Sequence, residues 1–202
     1  LENNKDSGGF RLTFPVLASL VKYPCSAHEA LGRSSGKFNY YTAEQEIFAD
    51  IFSTLGLMHD GRARRHPLSY LLEAADDICY RIIDMEDARE LRIITYQDIK
   101  DAMAPLLSDS DMDGGRLADM DSDRRRSGML RTKAMGRIIP SVVQTFLDNY
   151  EDIMNGTLQG DLLKHARQDV ADFMAAAKTV FNCKIMNNPQ KTALEIGTYT
   201  LY

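Results

Sequence analysis

Cysteine is scarce, with only Cys25, Cys79 and Cys183 among 202 residues. Their odd number and scattered spacing exclude a disulfide framework and offer no zinc pattern, so reduced thiols are expected. Also lacking is any apolar run of about 18 residues, or a signal pattern of basic start, apolar stretch and small-residue cleavage site. A cytoplasmic protein with no membrane partner is expected. Positive charge is not in excess either: 24 Lys and Arg against 29 Asp and Glu leave a net charge of -5. That removes an overall basic field for nucleic acid, although a local basic groove stays open. Strand-like alternation bounded by hairpin turns is nearly absent, and no internal repeat is visible. The sequence opens on Leu1 and stops at Leu201 and Tyr202 inside an amphipathic segment, so a piece of a longer polypeptide is expected.

What is present is helical periodicity, and a hydrophobic content of 44% suffices for one core or two small ones. A mostly α protein follows. The pattern predicts a first helix over residues 10 to 23, with Pro15 tolerable near its start, and then a Gly/Ser loop through Gly32, Ser34, Ser35 and Gly36. Thr42 with Gln45 reads as a capping box opening a helix to about Leu55. Pro67 starts the next, persisting to about Arg89, and Thr95 opens a short one ending near Pro105. Residues 108 to 127 carry blocks of mixed charge and little apolar content, which predicts a mobile surface loop. A long helix from about Met129 to Met154 should kink or divide at Pro140. Residues 161 to 181 and the stretch from Lys191 predict two more.

The densest information lies in residues 67 to 87, P-L-S-Y-L-L-E-A-A-D-D-I-C-Y-R-I-I-D-M-E-D. On a helical wheel Leu68, Leu71, Leu72, Ala75, Ile78, Cys79, Ile82 and Ile83 form one apolar arc of roughly 140°, read here as the core face. Glu73, Asp76, Tyr80, Asp84 and Asp87 share a neighbouring stripe roughly 80° wide, with Asp76 nearest the apolar border. A carboxylate at that border is costly unless it meets a cation or a metal. A solvated acidic helix face is the alternative, and spacing alone does not decide between them.

The run Y-L-L-E-A-A-D-D-I-C-Y-R-I-I-D-M-E-D-A resembles the signature of bacterial dGTPases and related dNTP triphosphohydrolases of the HD superfamily. The segment G-G-F-R-L-T-F-P-V-L-A-S-L-V-K-Y-P resembles that family's segment ending in K-Y, and G-K-F-N-Y-Y its following lysine-aromatic patch. Together these cover most of residues 8 to 107. A weaker likeness continues through R-I-I-P-S-V-V-Q-T-F-L-D-N-Y and I-M-N-G-T-L. The opening L-E-N-N-K-D is only loosely similar to a family element, and no role falls to Glu2 or Asn4.

The resemblance implies a multi-helix bundle of the HD-domain phosphohydrolase type, with the N-terminal part of that core absent from these residues. Residues 1 to 107 would be the remainder of the catalytic core, 108 to 127 a flexible loop and 128 to 202 a C-terminal helical region. By the same resemblance Asp76 is the last ligand of an H...HD...D metal site for a divalent ion such as Mg or Mn. Tyr80 packs against the deoxyribose and Asp84 binds the sugar 3'-hydroxyl. Lys22, Tyr23 and Lys37 are implicated at the triphosphate, where mobile ammonium groups suit a substrate of several negative charges. No acid-base residue is expected within the chain. The implied reaction is hydrolysis of a dNTP, dGTP first among them, to deoxynucleoside and tripolyphosphate. The implied partners are that substrate, further copies in a homo-oligomer such as a hexamer, and a dNTP or single-stranded DNA effector, met through Arg131, Lys133 or Arg137. Two rival readings are an HD phosphohydrolase acting on another nucleotide and a non-catalytic helical module that binds nucleotide or single-stranded DNA.

Three patterns invite a different assignment and are set aside. His59-Asp60, with His66 and Asp76, spells a metal site, but Gly61, Arg62, Arg64 and Arg65 follow and indicate a charged loop whose arginines would repel a cation. His66, just before Pro67, is expected to help position a helix start, while His28 and His165 read as surface or packing residues. Asp109, Asp111, Asp113 and Gly114 imitate the start of a calcium loop, yet Met120 stands where a bidentate glutamate is required.

Overall fold

The computed structural model describes residues 10–31, 36–117, 119–189, 191–193 and 196. The opening L-E-N-N-K-D stretch, most of the Gly/Ser loop and the end of the chain lie outside the described residues. The chain is mostly α-helical, and its only strands among the described residues form a two-stranded hairpin. Contacts divide it into two compact units, one of residues 1–74 and 149–161, the other of residues 75–148 and 162–202.

In the first unit, α1 covers Phe14–Ser19, much less than the expected 10 to 23. Pro15 falls in its first turn, where the missing N–H costs nothing, and Arg11 before it takes a positive φ of 52°, which a helix cannot accommodate. A short α2 spans Ala27–Ala30, closed at its start by a reciprocal pairing of Ser26 with Glu29. Thr42–Glu44 form a 3-10 turn and α3 follows as Gln45–Thr54. The expected Thr42 cap is replaced one residue earlier, where the Tyr41 N–H donates to the Glu44 carboxylate at 3.0 Å. Ala18, Phe48, Ile51 and Phe52 make the small core, and the rings of Tyr40, Phe48 and Phe52 stack in series at 4.0 and 4.1 Å between centroids.

The hairpin pairs β1, Met58–His59, with β2, Arg62–Ala63. Asp60 and Gly61 between them both have positive φ, 49° and 71°. An Asp-Gly pair suits that mirror-image turn, whose twist matches the strands. The Arg64 side chain then donates to the Asn155 carbonyl at 2.6 Å. Gly156, at φ 67°, lies so close that a Cβ there would meet Arg64 Cδ at 2.7 Å.

The long α4, Pro67–Glu90, belongs to the first unit through Ala74 and to the second from Ala75. In the second unit α5 is Tyr96–Met103, with Thr95 and Asp98 forming its capping box as expected. Its apolar side, Ile99, Ala102 and Met103, is buried, and α5 packs against α7, Asp123–Asp148, and α9, Gln168–Val180. Leu130, Ala134 and Ile138 of α7 and Val170 and Phe173 of α9 are fully buried at helical spacing.

The loop expected over 108 to 127 is not one. Asp109–Asp113 form α6, a 3-10 turn follows at Gly115–Leu117, and Met112 and Leu117 are buried. Two buried apolar side chains and a capping box hold a segment that composition describes as loop. Pro140 does not divide α7, which starts earlier than expected and runs on to Asp148. The bond lost to proline falls on the Gly136 carbonyl, and both positions are exposed, so water can take it. The break comes instead at Asn149, before α8, Tyr150–Met154, in the first unit. Residues expected as one helix over 161 to 181 resolve into a 3-10 turn at Leu162–His165, then α9, then a π-helical turn at Phe181–Ile185.

Candidate functional site

The expected core face of α4 is rotated. Ile78 and Ile82 are buried as expected, joined by Met85 and Ala88 at 1 and 3% exposure. Leu68, Leu72, Ala75, Cys79 and Ile83 are exposed. Five of the eight residues of the apolar arc are therefore exposed, because periodicity identifies residues that favour burial without saying what covers them. Glu73, placed by the sequence on the acidic stripe, is 8% exposed and turned inward. The Arg65 guanidinium donates to its carboxylate at 2.7 Å, to the Ser69 hydroxyl at 3.2 Å and to the Ser69 carbonyl at 3.3 Å, while stacking 4.0 Å from the Tyr70 ring centroid. Sequence reasoning missed this pair because Arg65 precedes the helix and has no place on its wheel.

Asp76, Tyr80 and Asp84 follow one another at four-residue steps and so climb one side of α4. Asp76 and Tyr80 are exposed, Tyr80 at 62%, and Asp84 is half-buried. The carboxyl of Asp84 is the unusual group: its Oδ2 is buried with no hydrogen-bond partner among the described residues. Burial pushes its pKa up and the Asp87 charge adds to that, against the opposing pull of Arg81 and Lys191. Leaving such an acceptor unmet is costly.

Lys22, Tyr23 and Lys37 lie in the first unit. The segments holding them are laced together: Asn39 N–H donates to the Cys25 carbonyl at 3.2 Å, Ala27 N–H to the Tyr40 carbonyl at 3.0 Å, and the Asn39 side chain accepts from Tyr23 N–H at 2.5 Å. The Lys37 ammonium thereby reaches the Tyr23 hydroxyl at 3.0 Å and lies 5.1 Å from that ring's centroid. Tyr23 and Lys37, fourteen positions apart, are thus neighbours. Lys22 is half-buried beside Tyr23.

The imitation metal and calcium sites dissolve on the structure. His59 and Asp60 occupy the exposed hairpin tip and bond each other at 3.1 Å. The His66 ring accepts the Leu68 N–H at 3.2 Å and caps α4, and burial lowers its pKa, favouring the neutral acceptor form. Ser108 and Asp111 form the capping box of α6, and Lys133 and Arg137 meet the Asp111 carboxylate. Hydrogen bonds from Ser108 are the main reason that Asp111 stays below the usual carboxylate range. Among the described residues, no three His, Cys, Asp or Glu side chains come together as a metal cage. Asp76 would be one ligand at most, and these residues by themselves do not fit a bound divalent ion. No helix among the described residues is long and apolar enough to cross a membrane.

Comparison with known proteins matches this chain to one group of relatives. It is 37% identical over 205 residues to a deoxyguanosinetriphosphate triphosphohydrolase-like protein of Pseudomonas aeruginosa, covering 99% of this chain and 46% of that protein. A protein of the same description from Synechocystis is 32% identical over 205 residues, covering 95% of this chain and 44% of its own length. A deoxyguanosinetriphosphate triphosphohydrolase of Yersinia enterocolitica is 27% identical over 211 residues, covering 93% and 40%. The chain thus spans about half the length of the curated relatives it matches. No family model matches.

Proposed function

We propose, from its likeness to deoxyguanosinetriphosphate triphosphohydrolase-like proteins, that the longer protein to which this chain corresponds hydrolyses a deoxynucleoside triphosphate, dGTP first, to deoxynucleoside and tripolyphosphate. The observation that carries this reading is the column Asp76, Tyr80 and Asp84 on α4, ending in a carboxylate oxygen with no partner among the described residues. A sugar 3'-hydroxyl is a donor of the kind that oxygen lacks. The exposed Tyr80 ring one turn earlier offers a flat surface for the deoxyribose, and a 2'-hydroxyl placed against it would lose its hydrogen bonds. In this proposal Lys22 and Lys37 meet the triphosphate oxygens, and the Tyr23 hydroxyl holds the Lys37 ammonium in position.

Asp76 would supply one oxygen to a divalent ion, Mg or Mn, whose other ligands, like the acid and base of the reaction, would have to come from outside the described residues. Further copies of the protein and a dNTP or single-stranded DNA effector complete the proposed partners. Of the three basic residues considered for the effector, Arg131 is held by Glu86 at 2.5 Å, and Lys133 and Arg137 by Asp111 at 3.8 and 3.5 Å. An effector anion would therefore share each of them with a carboxylate.

The test is a product assay of the longer protein on a panel of dNTPs and rNTPs. Release of tripolyphosphate from dNTPs alone supports the reading. Release of another phosphate product assigns a different phosphohydrolase, and calorimetric binding without product assigns a binding module.

A further inference from the structure

In the second unit, a cavity of about 250 Å³ opens beside the C-terminal turns of α4 and the first turns of α7. Three arginines line it, Arg89 from α4 and Arg124 and Arg131 from α7. Glu90 accepts from Arg89 and forms an ion pair with Arg124 at 3.5 Å, and Glu86 is held by Arg131. Asp87 lines the same cavity and is exposed. Each guanidinium carries five N–H donors, so donors in this space outnumber the acceptors that meet them.

Two of the unmet groups are buried. The Arg89 side chain is 14% exposed and its Nε–H has no partner among the described residues. Ser127 is 2% exposed and its hydroxyl is likewise unmet. Both can donate, and both belong to residues that line one cavity. The neighbouring position, Gly128, leaves the approach open, because a Cβ there would meet nothing within 4 Å. The wall therefore lacks a compact acceptor with several oxygens that can take a guanidinium edge and a hydroxyl together. A phosphate-class oxyanion has that chemistry, and planar guanidinium forks suit its oxygen spacing.

We infer that the cavity formed by Arg89, Arg124, Ser127 and Arg131 is an oxyanion site, filled by inorganic phosphate or by the phosphate group of a larger molecule. It is independent of the proposed reaction. The ion accepts from Arg89 Nε–H and from the Ser127 hydroxyl, and the three guanidinium groups offset its charge against Glu86, Asp87 and Glu90.

Calorimetric titration of the full chain with inorganic phosphate, and separately with deoxyadenosine monophosphate, tests this. Saturable one-to-one binding of phosphate that is at least tenfold weaker in Ser127→Ala and lost in Gly128→Leu supports the site. Tighter binding of the monophosphate than of phosphate, with the same variant pattern, supports it too and identifies a phosphate carried on a larger molecule. Arg167→Gln, which removes an exposed arginine paired with Asp169, should bind as the unaltered chain does. Thermal midpoints of the variants show that each is folded, and Ser127→Ala carries the test if Gly128→Leu is not. Absence of saturable binding by either ligand, or undiminished binding by folded Ser127→Ala, overturns the inference.

Discussion

The two long sides of α4 are built from the same kind of residue and have opposite fates. On one, Ile78, Ile82, Met85 and Ala88 are all under 5% exposed. On the other, Ala75, Cys79 and Ile83 are open to solvent, Ile83 at 51%, with Asp76 and Tyr80 beside them. Aliphatic side chains in one helix differ only in whether other residues of the chain reach them. The apolar pattern therefore measures a preference for burial, and tertiary contacts decide where that preference is met.

The sharpest way to break this comparison is at the exposed side. Asp76→Ala in the longer protein should remove metal-supported dNTP hydrolysis altogether, measured as tripolyphosphate release; turnover near that of the unaltered enzyme discards the ligand assignment. Next come paired truncations. Ile82→Ala should lower the unfolding free energy by about 2–5 kcal/mol, whereas Ile83→Ala should change it by less than about 1 kcal/mol in chemical denaturation of this chain. Equal losses would mean that Ile83 is covered after all. At the start of the helix, Glu73→Ala leaves the Arg65 guanidinium buried and unpaired and should cost on the order of 3 kcal/mol, while Asp77→Ala, on an exposed position, should cost little.

The smallest effect separates function from stability at Asp84. Its folded pKa lies above the ordinary 3.8 because burial disfavours the charged form. The ionised carboxylate therefore opposes folding at pH above that raised value, and the opposition fades as pH falls toward 3.8. Asp84→Asn should raise the thermal midpoint slightly at neutral pH, with the gain vanishing in acid. The same variant should weaken discrimination between a dNTP and its 3'-deoxy analogue. A midpoint that drops at neutral pH would show that the carboxylate is satisfied in the folded protein.

Much of the fold was legible in local chemistry. Thr95 with Asp98, Pro67 at a helix start, and helical periodicity over most of the chain all have causes within a few residues. Other features were legible in principle and missed, as with Asp60-Gly61, a hairpin signal in a stretch taken for a charged loop. Residues 108 to 127 show the limit of composition, since Met112 and Leu117 found cover that a count of charges does not foresee. Of the candidate site, the Asp76, Tyr80 and Asp84 column follows from four-residue spacing on a helix. The Lys37 contact with Tyr23 does not, because it depends on two irregular segments lacing together.

By itself, then, the sequence determined that α4 forms, where it begins and which residues share its faces, because these depend on backbone geometry and near neighbours. Only the tertiary structure decided that Glu73 is buried against Arg65, that Asp84 keeps an oxygen without a partner among the described residues, and that Arg89 and Ser127 line one cavity. Those outcomes depend on desolvation by residues far away in the chain, and no local pattern encodes which residues will arrive.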